Sequence, residues 1–305
     1  MNDSTACPMC RSNLEPFISV EDRPMVICSD CRHITWQNMP SEEEVAAHYQ
    51  KVYSGQHDQK DLQESQREYY MNHLAMLVSL SPRDENVVVD YGCAWPTLLE
   101  TGVDVEGISR RIGIDFDEGA REYGGFVGID MFAPHEISQK IEPRSIDIIR
   151  FSHVIEHLID PAVVLDEIRA LLRPGGIIYI TQPIFPVLET SARPDSIQDA
   201  VFPEHLHFFN AISLLNTVER LDAEILEFAA FQNEEEVQAH FDGMMDIERA
   251  AEGARPLKTK KPSGFTEIGG YPQFCGENCH LVARVRGAIP DFGRGYAASG
   301  VQRWL

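Results

Sequence analysis

From residue 86 onward, short β-branched runs alternate with helical stretches, and that alternation constrains the fold more than any other feature of the chain. "NVVVDYG" (86–92) reads as a buried strand, "RRIGIDF" (111–116) as a second, "FVGIDM" (126–131) as a third and "SIDIIRFS" (145–152) as a fourth. A helix over 160–173, "DPAVVLDEIRALLR", stops at Pro174-Gly175-Gly176, and "IIYITQP" (177–183) makes a fifth strand. Strands separated by helices pair in parallel, and the helices then cover both faces of the sheet. "EILEFAAF" (224–231) and "HLVARVR" (280–286) read as two late strands. The Gly- and Pro-containing insert at 232–272 between them reads as a loop or lid rather than a second core.

In an open parallel sheet, ligands bind at the carboxyl ends of the strands, near the point where strand order reverses. Acids fall there in succession: Asp90 ends the first strand, Asp115 the second, and Asp130 closes the third. An acid about twenty residues beyond a glycine turn is placed to accept hydrogen bonds from ribose hydroxyls, and Asp115 is 23 positions beyond Gly92. The three acids together point to an adenosine-type ligand. The turn itself, "YGCAWP" (91–96), keeps only its first glycine; Ala94 and Pro96 stand where two more are usual. Ala94 is tolerated at negative φ and strained at positive φ. Pro96 suits the first turn of a helix, where its missing N–H is not needed. Trp95 either covers the ligand or packs beneath the loop.

These residues resemble the class I S-adenosylmethionine-dependent methyltransferases over roughly 86–286. The most specific stretches are "VIEHLIDP" and "LRPGG". The resemblance implies a Rossmann-like α/β sheet of seven strands, the final one antiparallel. It implies that Gly92 lines the methionine end of the cofactor and Asp115 holds the ribose, with Asp90 and Ala94 also among the cofactor-binding residues. Phe116 flanks the adenine ring, and Asp130, with Met131 beside it, meets the adenine amine. Sugar-modifying methyltransferases often carry an N-terminal ribbon, so the acceptor implied is a small molecule, a sugar or nucleotide-linked sugar.

Two histidine clusters compete for proton transfer. In "PEHLHFFN" (203–210), resemblance to sugar C-methyltransferases gives Glu204 as an orienting acid and His205 as a base. The structural alternative is a turn in which Glu204 caps a helix and His207 packs inside. In "HVIEH" (153–157), His153 points toward the cofactor cleft. The stretch is similar to the Glu-x-x-Glu-His that small-RNA 2′-hydroxyl methyltransferases use, with a distant His, to hold a divalent metal. That resemblance implies Glu156 and His157 as ligands, with His153 in place of the first acid and His205 or His207 as the distant one. The metal-free alternative is a structural turn.

"CPMC" (7–10) and "CSDC" (28–31) are two-residue-spaced thiol pairs separated by seventeen residues. Such knuckles complete a tetrahedron around zinc, so Cys7, Cys10, Cys28 and Cys31 form a closed, structural Zn2+ site. Forty residues bury too little apolar surface alone, and the ion supplies most of the folding free energy. Between the knuckles two short strands flank a turn at Asp22-Arg23-Pro24, and His33 reads as a surface residue. The domain organisation expected is a zinc ribbon (1–40), a helical linker (41–85), the sheet domain (86–287) and a Gly- and Ala-rich tail (288–305).

A balance of 26 basic against 48 acidic residues gives −22, which disfavours nucleic acid as a partner. The basic run "RPLKTKKP" (255–262) reads as a solvated loop. No apolar run approaches the ~18 residues of a membrane span, and the first ten residues carry no secretory signature. A cytoplasmic location is expected. Two rivals remain: a non-catalytic nucleoside-binding module with a degenerate glycine loop, and a nicotinamide oxidoreductase. The second needs Gly-x-Gly-x-x-Gly, whereas positions 92, 94 and 97 are Gly, Ala and Thr.

Overall fold

A computed structural model of the chain describes residues 6–20, 22–53, 60–184, 203–231, 265–268, 271–274 and 278–286. Three antiparallel strands come first: β1 (Leu14–Val20), β2 (Arg23–Cys28) and β3 (Ile34–Trp36). The β1–β2 turn falls at Asp22, whose φ is 63°. Two helices follow, α1 (Glu42–Tyr53) and α2 (Lys60–Leu80). Ser41 starts α1 with a reciprocal cap: Glu44 N–H donates to Ser41 Oγ and Ser41 N–H donates to the Glu44 carboxylate.

The alternating region supplies β4 (Asn86–Tyr91), α3 (Thr97–Thr101), β5 (Ile108–Ile114), α4 (Glu118–Phe126), β6 (Asp130–Phe132) and α5 (Ile137–Lys140). It continues with β7 (Ile146–Ser152), α6 (Pro161–Leu171), β8 (Leu172–Pro183), β9 (His207–Phe208), α7 (Ala211–Arg220) and β10 (Ala223–Phe231). A hairpin of β11 (Phe265–Ile268) and β12 (Tyr271–Phe274) precedes β13 (Asn278–Val285).

Seven strands form one sheet in the order β6-β5-β4-β7-β8-β13-β10. The neighbours from β6 to β8 are parallel, and β13 is antiparallel to both β8 and β10. This is the expected Rossmann-like α/β sheet with its last strand reversed. Strand order switches direction between β4 and β7, so the ligand crevice opens at their carboxyl ends. Alternation sends Val89, Ile112, Ile149 and Ile178 toward Leu165 and Ile168 of α6 and Leu214 of α7. Val88, Ile148 and Ile177 face Leu74 and Leu77 of α2 and Leu99 of α3 on the other side. Each such fully buried aliphatic side chain is worth roughly 1.5–3 kcal/mol. No helix among the described residues is long and apolar enough to cross a membrane.

The structure moves three expected boundaries. The third strand is Asp130–Phe132, because α4 runs on through Gly124 and Gly125 to Phe126. The 160–173 helix ends at Leu171, and β8 runs on through Pro174-Gly175-Gly176 with a break in its register against β7, where Gly175 takes a φ of 82°. The ribbon is not self-contained: β9, from residues 207–208, pairs antiparallel with β3 as its fourth strand. Met25, Ile27, Ile34, Trp36, Leu206 and Phe208 share one core across residue 40. Most of the 232–272 insert, the basic run at 255–262, Cys275 and the 288–305 tail lie outside the described residues.

Candidate active site

The four ribbon thiols converge. Cys7 Sγ lies 3.5 Å from Cys31 Sγ and Cys10 Sγ 3.4 Å from Cys28 Sγ, and all four lie within 4.8 Å of one another. Four sulfurs about 2.3 Å from a tetrahedral zinc sit about 3.8 Å apart, whereas a disulfide needs about 2.05 Å. The spacing fits an ion. Both knuckles turn through an arginine at positive φ, Arg11 at 68° and Arg32 at 58°. Cys31 N–H donates to Cys28 Sγ at 3.4 Å, which holds the second knuckle closed.

At the crevice, Gly92 adopts a φ of 66°. A Cβ there would stand 2.5 Å from Val154 Cγ2, so only glycine lets the β4 turn pass under the loop after β7. Gly92 and Cys93 both donate their N–H to the Ile114 carbonyl, at 2.7 and 3.2 Å. Ala94 has a φ of 46° and donates its N–H to Asp115 Oδ2 at 2.7 Å. The left-handed conformation costs an alanine roughly 1–2 kcal/mol. Asp117 N–H donates to the other Asp115 oxygen at 2.9 Å. Each carboxylate oxygen has two lone pairs, so Asp115 is fixed by two amides and keeps acceptor capacity. Burial raises the Asp115 carboxyl above its usual value, while the Asp117 and Ala94 amides pull it down. Phe116, beside it, is 56% exposed. Tyr49 of α1 meets that ring edge-on at 5.3 Å. Fixed acceptors beside an open aromatic face fit a ribose diol and a purine ring.

The other expected cofactor residues are elsewhere. Asp90 is buried and ion-paired to Arg150 of β7 at 2.9 Å. Both belong to a row with Tyr179 of β8 that faces the α2 layer, not the crevice mouth. Asp130 opens β6 instead of closing it, sits beside Ile112 in register, and pairs with Arg110 at 2.7 Å. Met131 packs against Gly113 and Gly124 between β5 and α4. Trp95 stacks on Tyr123 at 4.3 Å, and Pro96 precedes α3 as expected. Cys93 and Cys279 are both buried, and burial raises both thiols.

Beyond β7 the chain makes a second cluster. His153 has a φ of 53° and donates its N–H to the Thr181 carbonyl at 2.8 Å. A short 3₁₀ turn over Ile155–His157 follows. Glu156 is 3% exposed, and neither carboxylate oxygen has a hydrogen-bond partner among the described residues. His153 Nδ1 and His157 Nε2 lie 3.6 and 3.7 Å from Glu156 Oε1. His157 Nδ1–H donates to the Glu204 carbonyl at 2.8 Å, so its Nε2 carries the lone pair. The His205 ring lies 4.8 Å from that of His157. Burial pushes the Glu156 carboxyl up to about 8 and the His157 imidazole down to about 4, and it lowers His153 as well.

Of the "EHLH" histidines only His205 joins this cluster. His207 is buried in the ribbon junction, its Nδ1 2.9 Å from His33 Nε2. His33 is itself fully buried, not a surface residue, because β9 covers it. The Glu204 carboxylate lies 3.4 Å from His48 Nε2 of α1. Sequence reasoning missed His48 and Tyr49. Nothing in the helix "EEEVAAHYQKVY" signals that it lies across a crevice built a hundred residues away.

Comparison with known proteins bears on this geometry. The methyltransferase domain family matches residues 63–227. An uncharacterised 37.1 kDa protein in transposon TN4556 of Streptomyces fradiae is 30% identical over 137 residues, covering 43% of this chain and 39% of that protein. The ubiquinone biosynthesis O-methyltransferase of Ralstonia nicotianae is 31% identical over 114 residues, covering 35% of this chain and 48% of that enzyme. The chain thus spans less than half the length of each. A SAM-dependent methyltransferase structure from Archaeoglobus fulgidus aligns with 16% identity and a TM-score of 0.45, over 78% of this chain and 98% of that one.

Proposed function

The chain belongs to the methyltransferase domain family, and from that premise we propose that it transfers a methyl group from S-adenosylmethionine to a hydroxyl of a small molecule, a sugar or nucleotide-linked sugar. The observation that carries this reading is Asp115, held by the amides of Ala94 and Asp117 with acceptor capacity to spare, beside the exposed Phe116. Asp115 would accept from the ribose hydroxyls, Phe116 and Tyr49 would flank the adenine, and the Gly92–Ala94 turn would line the methionine end. Bound S-adenosylmethionine supplies a methyl group on a cationic sulfur.

Methyl transfer to an acceptor hydroxyl would require that the hydroxyl's proton be taken up by a base beside the crevice. His153, half exposed and with its imidazole lowered by burial and then by the charge of Arg150, would take that proton. Glu204 is a positioning residue, because its carbonyl fixes the His157 tautomer. His205 lines the same mouth. Support for oxygen as the acceptor atom comes from the Ralstonia nicotianae relative, named for O-methylation in ubiquinone biosynthesis. Support for a sugar comes from the four-thiol ribbon, since sugar-modifying methyltransferases often carry one; here its β3 pairs with β9. The ribbon ion would be Zn2+, contributing folding free energy and no open coordination position.

Calorimetry with S-adenosylmethionine tests the reading. Asp115→Ala is expected to weaken binding at least tenfold. Equal affinity in parent and variant removes the ribose assignment, and with it the proposal.

A further inference from the structure

A carboxylate buried with no donor on either oxygen is costly, on the order of several kcal/mol if ionised, and structures rarely tolerate one without a compensating partner. Glu156 is such a group. The donor atoms of Glu156, His157 and His205 all lie within 4.8 Å of one another. We propose that Glu156, His157 and His205 bind a divalent first-row cation at the end of β7, distinct from the four-thiol site of the ribbon.

Three features beyond proximity support a built site. His157 is already in the tautomer a ligand needs, since its Nδ1–H is committed to the Glu204 carbonyl and its Nε2 is turned to Glu156 at 3.7 Å. A carbonyl on the far nitrogen is the usual way a ligating imidazole is oriented. The strand of chain that carries His205 is pinned on both sides. Trp36 Nε1–H donates to the His205 carbonyl at 2.8 Å, and Leu206 N–H donates to the Glu156 carbonyl at 2.9 Å. Finally, ligands about 2.0–2.1 Å from a tetrahedral ion stand about 3.4 Å apart. The Glu156–His157 separation of 3.7 Å is close to that, and all three donors already lie within 4.8 Å of one another.

Two imidazoles and one carboxylate suit Mn2+, Co2+ or Zn2+ better than Mg2+, which prefers oxygen and retained water. Three protein ligands leave positions open, in contrast to the closed ribbon. Those positions suit adjacent oxygens on an acceptor, and that role rests on the methyl-transfer reading; the binding site itself does not.

The test uses full-length protein with its ribbon first loaded with zinc. Mn2+ is titrated and followed by electron paramagnetic resonance, and Co2+ by its absorption. Thiolates favour the resident zinc over Mn2+, so Mn2+ uptake reports the nitrogen–oxygen site. One Mn2+ per chain is expected, with affinity at least tenfold weaker in Glu156→Gln and in His205→Asn. Two variants guard against one failing to fold, and S-adenosylmethionine binding by calorimetry verifies the fold of each. Failure of the parent to take up either ion, or parental affinity in both folded variants, overturns the proposal. A parent that binds Mn2+ but no S-adenosylmethionine sinks the methyl-transfer reading and leaves the cation site standing.

Discussion

Single residues at the crevice are set by what the backbone must do. Gly92 is required twice over, by its φ of 66° and by Val154 pressing where a side chain would begin. Gly92→Ala is therefore expected to destabilise by roughly 1–2 kcal/mol for the left-handed conformation plus about 1–3 kcal/mol for overpacking. Val154→Ala in the same chain should return the second part only. Urea midpoints measure both, and an unchanged midpoint for Gly92→Ala would refute the turn geometry. Asp115 was readable in advance because its distance from Gly92 follows from one strand–helix–strand unit. Asp90 and Asp130 were not. Their partners, Arg150 and Arg110, come from neighbouring strands, and no run of sequence says which strands will be neighbours.

Among the elements, the ribbon and β9 matter most for the site. β3 pairs with β9 through Ile34↔Phe208 and Thr35↔His207, Thr35 Oγ1–H donates to the Leu206 carbonyl, and Trp36 holds His205. Cys7 and Cys10 precede β1, Cys28 ends β2 and Cys31 lies in the turn into β3, so an ion there would brace β3, on which β9 pairs. Stripping the ribbon metal with a chelator is expected to raise amide exchange across 204–209 together with residues 25–36. Loss of protection in the ribbon alone would show that β9 does not depend on it. The ribbon was legible because its ligands are local pairs. Its fourth strand was not, since two residues of "HFF" carry no strand signature without β3 beside them.

Across the whole molecule, one buried polar row runs through the sheet centre: Asp90 of β4, Arg150 of β7 and Tyr179 of β8, with His280 of β13 on the Tyr179 hydroxyl and His73 of α2 packed on its ring at 4.3 Å. Burial, then the charge of Arg150 and the neighbouring His280, hold His73 well below its ordinary value. The unfolded chain protonates this histidine near pH 6.5 and the folded one does not. Its contribution is therefore complete above about 6.5 and is lost as pH falls below it, by up to about 1.4 kcal/mol per unit for one proton. His73→Phe should flatten the fall in urea midpoint between pH 7.5 and 5.5, and an identical slope in parent and variant would sink this account. What the chain determined by itself was whatever depends on neighbours along it: the strand and helix alternation, the thiol knuckles and the spacing of Asp115 from Gly92. Three-dimensional packing alone decided that His33 meets His207, that Tyr49 reaches Phe116, and that Glu156 is enclosed with His157 and His205. Periodicity fixes which way a side chain points within its own element, while the partner it meets depends on loop closures spanning tens to more than a hundred residues.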